Sequence, residues 1–298
     1  MEFGVSVTPL ARELDRIHQV VRTAEETGLE LVGIQDHPYA PAFLDTMALI
    51  GVLLGESSRV RLFPNVANLP LRPPAILAKA AASLDLLSGG RFELGLGGGG
   101  RPAVAAMGGP QRSPGESVEA VREAIDVLRA VWSGRRGASL RGRHYFLEGL
   151  DTGPAPAHPI SIWLGSMGPR MLRMAGELAD GWSASIPYYL PYEQVADAQS
   201  LVDDGARAAG RDPHSVLRIC NIPGTITDRE AGRDPLRGSE PLRGTAERWI
   251  EVLSDWAVRL RFDVFILWPE VETPEQVERF ARDVAPGVRA AVANAAST

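Results

Sequence analysis

The chain has 298 residues and a formal charge of −6, with 45% hydrophobic and 23% charged residues. That balance excludes a disordered chain, and the negative charge argues against a general binder of nucleic acid or anionic membrane. One cysteine, Cys220, excludes an internal disulfide framework and suits a reducing cytoplasm, and neither a signal-peptide pattern nor an apolar run long enough to cross a bilayer is visible.

Residues 2–7 read as a first strand, after which Leu10, Leu14, Ile17, Val21 and Ala24 mark one helical face closed by Gly28. Leu31-Val-Gly-Ile34 is a second strand ending in Gln35-Asp36-His37, and a helix is predicted from about Ala42 to Gly55. Val60-Arg-Leu-Phe63 is the third strand, with Asn65, Val66 and Asn68 at its end. Pro73-Pro74 opens a helix stopped by Gly89-Gly90; Phe92 to Leu96 is the fourth strand, followed at once by Gly97, Gly98, Gly99 and Gly100. Residues 101–116 read as a long loop, and Val118, Val121, Ile125, Leu128 and Trp132 give the next helix its buried stripe. Tyr145-Phe-Leu147 and the prolines after it form a surface excursion.

Ile160 to Leu164 is the fifth strand, leading through Gly165, Ser166, Met167 and Gly168 into a helix opened by Pro169 and Arg170. Trp182 to Ile186, Val216 to Ile222 and Asp263 to Trp268 are strands six to eight. Helices run from about Pro191 to Ala209 and from Ala246 to Leu260, and Thr273-Pro-Glu-Gln276 has the form of a capping box. The polar, Arg-rich segment 223–243 reads as a mobile flap. Eight strands alternating with helices imply parallel pairing by crossovers. A chain of this length fits one domain, 1–298, folded as a TIM (β/α)8 barrel with inserted loops. A doubly wound open sheet would place its glycine fingerprint after the first strand instead.

In such a barrel the site gathers at the carboxyl ends of the strands, where Ser6, Asp36, His37, Asn65, Asn68, Gly97 to Gly100 and Gly165 to Arg170 all fall. The turn at 165–170 offers main-chain N–H groups at a helix N-terminus and a nearby cation, a setting for a cofactor phosphate; an ordinary strand-to-helix turn reads equally well from these residues alone. His37 and Asp36 suit either catalysis or structural hydrogen bonding.

The ordered series Ile34-Gln-Asp-His-Pro-Tyr39, Pro64 to Pro74, Leu84 to Gly97, Gly115-Glu116 and Leu164 to Trp182 resembles the bacterial luciferase-like flavin and deazaflavin oxidoreductases, in the branch that uses coenzyme F420. The resemblance implies that Gly165, Ser166, Met167, Gly168, Pro169 and Arg170 hold the cofactor phosphate. It also implies a non-proline cis peptide at Asn65-Val66 against the ring, joined around it by Asn68 and Gly97 to Gly99. His37, with Asp36, would reach the deazaflavin and take the catalytic role. Arg72, Arg101 or arginines of 223–243 would meet the acidic cofactor tail.

The implied activity is hydride transfer between F420 and a small organic substrate. An FMN-dependent monooxygenase and a non-catalytic F420- or flavin-binding protein are the alternatives. Gly100 stands where the sugar-phosphate dehydrogenase branch has an acid, Pro41 where a tryptophan is expected, and Ser6 where the pterin reductase branch has a glutamate, so neither substrate class is implied. No metal is implied, and a homodimer is expected.

Overall fold

The computed structural model describes residues 1–229 and 236–296. Its strands are β1 (Glu2–Val7), β2 (Leu31–Ile34), β3 (Arg61–Pro64), β4 (Ala67–Asn68), β5 (Leu94–Gly97), β6 (Ala138–Arg141), β7 (Phe146–Leu150), β8 (Ile162–Ser166), β9 (Gly181–Ala184), β10 (Leu217–Ile226), β11 (Leu242–Gly244) and β12 (Val264–Pro269). The helices are α1 (Leu14–Thr27), α2 (Thr46–Glu56), α3 (Pro74–Ser88), α4 (Arg101–Ala106), α5 (Pro114–Trp132), α6 (Pro169–Leu178), α7 (Val195–Ala208), α8 (Ala246–Arg259), α9 (Pro274–Arg279) and α10 (Ala285–Ala296), the last two joined by a π-turn at Phe280–Val284.

The large sheet runs β3-β2-β1-β12-β10-β9-β8-β5-β4 with β11 added beside β10. Its strand pairings are parallel. β3 and β4 are halves of one barrel strand, parted by the cis Asn65-Val66 peptide that the resemblance implied. The first half pairs with β2 and the second with β5. A parallel bridge between Leu62 and Phe92 closes the ring, through Leu62 N–H to Arg91 O at 3.0 Å and Glu93 N–H to Leu62 O at 3.1 Å. The predicted (β/α)8 barrel is the fold observed.

Four details depart from the sequence reading. Residues 101–116 are not all loop: α4 occupies Arg101–Ala106, and α5 starts at Pro114 because Ser113 and Glu116 form a reciprocal capping box. The excursion holds an antiparallel hairpin, β6 with β7. Residues 223–226 and 242–244 are paired strand, not flap, and residues 230–235 lie outside the described residues. The second helix begins at Thr46, capped by Asp45 accepting from Ala48 N–H, because Phe43 is held in a bridge to Leu10.

The barrel holds two apolar zones. Between strands and helices lies the main core, including Phe3, Val5, Ile34, Leu62, Leu96, Leu164 and Trp182, all fully buried. Inside the barrel, Leu31, Phe63, Trp163, Ile219, Val264 and Ile266 form a separate cluster, with Phe63 and Trp163 edge to face at 4.9 Å. Two residues further along several strands, at the carboxyl end, the inward position changes character: Phe63 gives way to Asn65, Trp163 to Gly165, Ile219 to Asn221 and Gly181 to Ser183. The plug therefore sits at the amino end, and a polar, glycine-rich layer opens at the other.

Glycines on β5 and β8 make room for the Val66 side chain. A Cβ on Gly97 would fall 2.6 Å from Val66 Cγ2, and one on Gly165 2.9 Å from the same atom. On Gly95 it would fall 2.1 Å from the Pro64 carbonyl oxygen, which is backbone and cannot turn aside. We expect Gly95→Ala to destabilise the fold by about 1–3 kcal/mol through overpacking, measured as a lower urea midpoint with an unchanged slope.

Candidate functional site

A cavity of about 520 Å³ opens at the carboxyl ends of the strands. It brings together Asp36, His37, Asn65, Val66, Asn68, Gly97, Gly98, Gly99, Gly165, Ser166, Met167 and Gly168, residues drawn from four separate segments of the sequence reading. Pro169 and Arg170 lie outside its lining, one turn along at the start of α6.

Asp36 is held rather than free. Its carboxylate accepts from Asn68 N–H at 2.8 Å and from Arg72 Nε and Nη2, each at 2.7 Å, and its side chain is 1% exposed. Arg72 also donates to Asp45 Oδ2 at 2.7 Å, and these two carboxylates together hold the guanidinium far above its ordinary pKa despite partial burial. A buried carboxylate requires such pairing. The consequence is that Arg72 is committed to Asp36 and not turned to a cofactor tail; the Arg101 side chain lies outside what the structure describes.

His37 follows Asp36 at the rim. Its Nδ1 is 2.8 Å from Tyr39 Oη, and its ring packs on Phe43 with centroids 6.1 Å apart. Burial pushes the imidazole below its ordinary pKa, the nearby Asp36 charge opposing it, so the ring is neutral at pH 7. Nε2 has no protein partner among the described residues.

Beneath the cavity, Asn65 Nδ2 donates to Asn221 Oδ1 at 2.7 Å, and Trp268 Nε1 donates to the same oxygen at 2.8 Å. Asn221 Nδ2 in turn donates to Ser183 Oγ at 2.9 Å and Ala184 O at 2.7 Å. This network fixes Asn65 and hence the orientation of Val66 toward the glycines. Two polar atoms of the lining are left over: Asn68 Oδ1 and Ser166 Oγ are buried without a partner. Orphaned atoms on a cavity wall are what a polar bound ring would satisfy, so the residues present fit a flavin-like group.

The turn before α6 is open. Gly168 is the N-cap with no side-chain cap, Pro169 is the first helical residue, and a Cβ on Gly168 would meet nothing within 4 Å. Arg170 is exposed, with Nη1 3.4 Å from where a Cβ on Gly115 would stand at the start of α5. Two helix N-termini and a guanidinium thus face one region, a setting that favours an anion.

The sequence reading missed Tyr39, Ser183, Tyr189, Asn221 and Trp268 as cavity residues. Asn221 carried a signal, being a lone amide in the apolar run Ile219 to Ile222. Tyr39 and Tyr189 sit in segments without periodicity and carried none.

A family model described as "Luciferase-like monooxygenase" matches residues 1–244. The chain is 32% identical over 236 residues to the F420-dependent hydroxymycolic acid dehydrogenase of Mycobacterium tuberculosis, a match covering 76% of this chain and 64% of that one. This chain therefore spans less than two thirds of that relative's length. Among solved structures, an F420-dependent secondary alcohol dehydrogenase in complex with an F420-acetone adduct superposes with a TM-score of 0.82 at 20% identity, covering 97% of this chain and 99% of the other. Riboflavin lyase with modified FMN and its substrate riboflavin superposes with a TM-score of 0.81 at 16% identity, over 97% and 91%.

Removal of Arg72 leaves Asp36 charged and buried beside one amide. Arg72→Ala should cost about 3–5 kcal/mol of stability, read as a large drop in melting temperature, whereas Asp45→Ala, which breaks only the outer half of the pair, should cost far less.

Proposed function

Because this chain belongs to the luciferase-like monooxygenase family, we propose that it is an oxidoreductase that transfers a hydride between coenzyme F420 and a small, uncharged organic molecule. The observation that carries this reading is the pairing of Asp36 and His37 at the second strand end, with a neutral imidazole on the wall of a cavity floored by Val66. Relatives of the M. tuberculosis kind, named F420-dependent, support the choice of cofactor.

When bound, F420 supplies a ring carbon that carries the hydride. Val66, set upward by the Asn65–Asn221 bond, supports one face of the ring. Gly98 and Gly99 would stand beside it in the cavity wall, while Asn68 and Ser166 would answer its polar edge. Ser166, Met167, Gly168, Pro169 and Arg170 hold the phosphate at the start of α6. Asp36 acts by anchoring the strand end that carries His37. His37 is the group that meets the reacting atoms.

Val66, Ala67, Met167, Met171, Ile186 and Trp268 line the cavity, and among the described residues no arginine or lysine does. A charged substrate would enter without a paired counter-charge, at a cost, which supports an uncharged substrate.

The chain is further read as a homodimer through α2 and α3, whose outer faces expose Val52, Ile76 and Leu87, the last 86% exposed. α2 carries no charged side chain before Glu56. Large apolar side chains exposed on two neighbouring helices favour an interface. Among the described residues, no helix is long and apolar enough to cross a membrane.

Titration of the protein in parallel with F420, FMN and NADPH should show quenching with F420 and weak or no response with the others; tight FMN binding with none for F420 would favour the monooxygenase reading. His37→Ala should lower turnover about 100-fold or more with an unchanged circular dichroism spectrum. Leu87→Asp should convert the dimer to monomer in light scattering, and a wild-type monomer would remove the dimer.

A further inference from the structure

Four titratable side chains line the cavity among the described residues: Asp36, His37, Tyr39 and Tyr189. Asp36 is spent on Arg72 and the Asn68 amide. Of the other three, only His37 and Tyr39 are bonded to one another, Nδ1 to Oη at 2.8 Å.

The backbone holds this pair together. Ala40 N–H donates to His37 O at 2.8 Å, closing a tight turn with Pro38 at its second position, where the proline ring presets the backbone. The turn folds the Tyr39 ring back to the imidazole, with centroids 5.5 Å apart, and Phe43 packs on the imidazole as well. The ring therefore has little freedom to flip.

One hydrogen lies between Nδ1 and Oη, and its owner decides which ring nitrogen faces the cavity protonated. A phenol O–H is a stronger hydrogen-bond donor than a neutral imidazole N–H, and an imidazole nitrogen is the stronger acceptor, so across this 2.8 Å contact the hydrogen sits on Oη. With the phenol donating, Nε2 keeps the ring hydrogen and, having no protein partner among the described residues, is left to offer it to a ligand. Both groups are neutral at pH 7. Burial, with the charges of Tyr189 and Asp36, holds the phenol above its ordinary value, while burial holds the imidazole below its own. Gly100 leaves the phenol uncrowded, since a Cβ there would stand 3.9 Å from Oη.

We propose that Tyr39 is a positioning residue: it donates to His37 Nδ1 and so fixes the tautomer in which Nε2–H points its hydrogen bond at a substrate oxygen. A neutral imidazole serves here as electrophile, polarising a carbonyl as negative charge develops on its oxygen. The tautomer stands on this geometry alone; its use toward a carbonyl rests on the hydride-transfer reading above.

The test is a long-range proton–nitrogen spectrum of protein labelled with nitrogen-15 histidine at pH 7.5. His37 is identified among the 5 histidines by the signals lost in His37→Asn. The wild type should show a protonated Nε2 and an acceptor-type Nδ1, with protonation only below the ordinary histidine range. The groups able to move that titration are Asp36 with its partner Arg72, Tyr39 and Tyr189. Tyr39→Phe should give a mixture of tautomers with the other four histidines unmoved, and should lower turnover of a carbonyl substrate about tenfold, the worth of one hydrogen bond, without changing F420 affinity. A wild-type His37 protonated at Nδ1 overturns the inference, and does so even if Tyr39→Phe fails to fold. An identical tautomer in wild type and Tyr39→Phe overturns it too. Failure of the same sample to bind F420, with the Nε2–H tautomer in place, would remove the hydride-transfer reading and leave the tautomer standing.

Discussion

The mouth of this barrel is organised by one buried charge. Asp36 closes the second strand with a carboxylate out of water, and both of its oxygens are answered: by the Arg72 guanidinium, and by the main-chain N–H of Asn68. Arg72 reaches on to Asp45, the N-cap of α2. One side chain thereby sets the relative position of the β2 end, the β4 segment and the start of α2. An unpaired buried carboxylate is costly enough that these elements have a single favourable arrangement. His37 and Asn68 inherit their positions from it.

The second constraint is the division of the barrel interior. Large apolar side chains, led by Phe63 and Trp163, plug the amino end. At the carboxyl end the inward positions are Asn65, Asn221 and Ser183 with the glycines of β5 and β8. The amides bond one another, so the layer is fixed without being filled. What remains is a cavity with a rigid floor and two buried acceptor-capable atoms, Asn68 Oδ1 and Ser166 Oγ, lacking partners. The packed plug and the open cavity thus lie at opposite ends of the barrel axis.

Much of this was legible in the sequence. The alternation of strand and helix signals announced the barrel, because each strand is an apolar run and each outer helix carries a stripe at helical spacing. The residues at 36–37, 65–68, 97–100 and 165–168 stood out as polar or glycine residues immediately after apolar runs, and they meet in one cavity. Gly97 and Gly165, expected beside the ring and the phosphate of a cofactor, first make room for Val66. The role of Arg72 was not legible, since its partner Asp36 is 36 residues away in the chain and ion pairing across such a distance leaves no local pattern. The hairpin β6–β7 and the short α4 were missed because Gly- and Arg-rich segments mask weak periodicity. Tyr39 was missed because a turn residue is given meaning only by what it folds back upon.

The central claim is that a flat cofactor lies over Val66 with its phosphate at the start of α6 and its reactive edge toward His37. A crystal structure of the complex with F420 tests it most directly. The account predicts the ring against Val66, the phosphate within hydrogen-bond distance of the main-chain N–H groups of Ser166, Met167, Gly168 or Arg170, and His37 Nε2 facing the ring. A phosphate bound elsewhere, or a cavity closed by the protein's own side chains with the ring excluded, would contradict it.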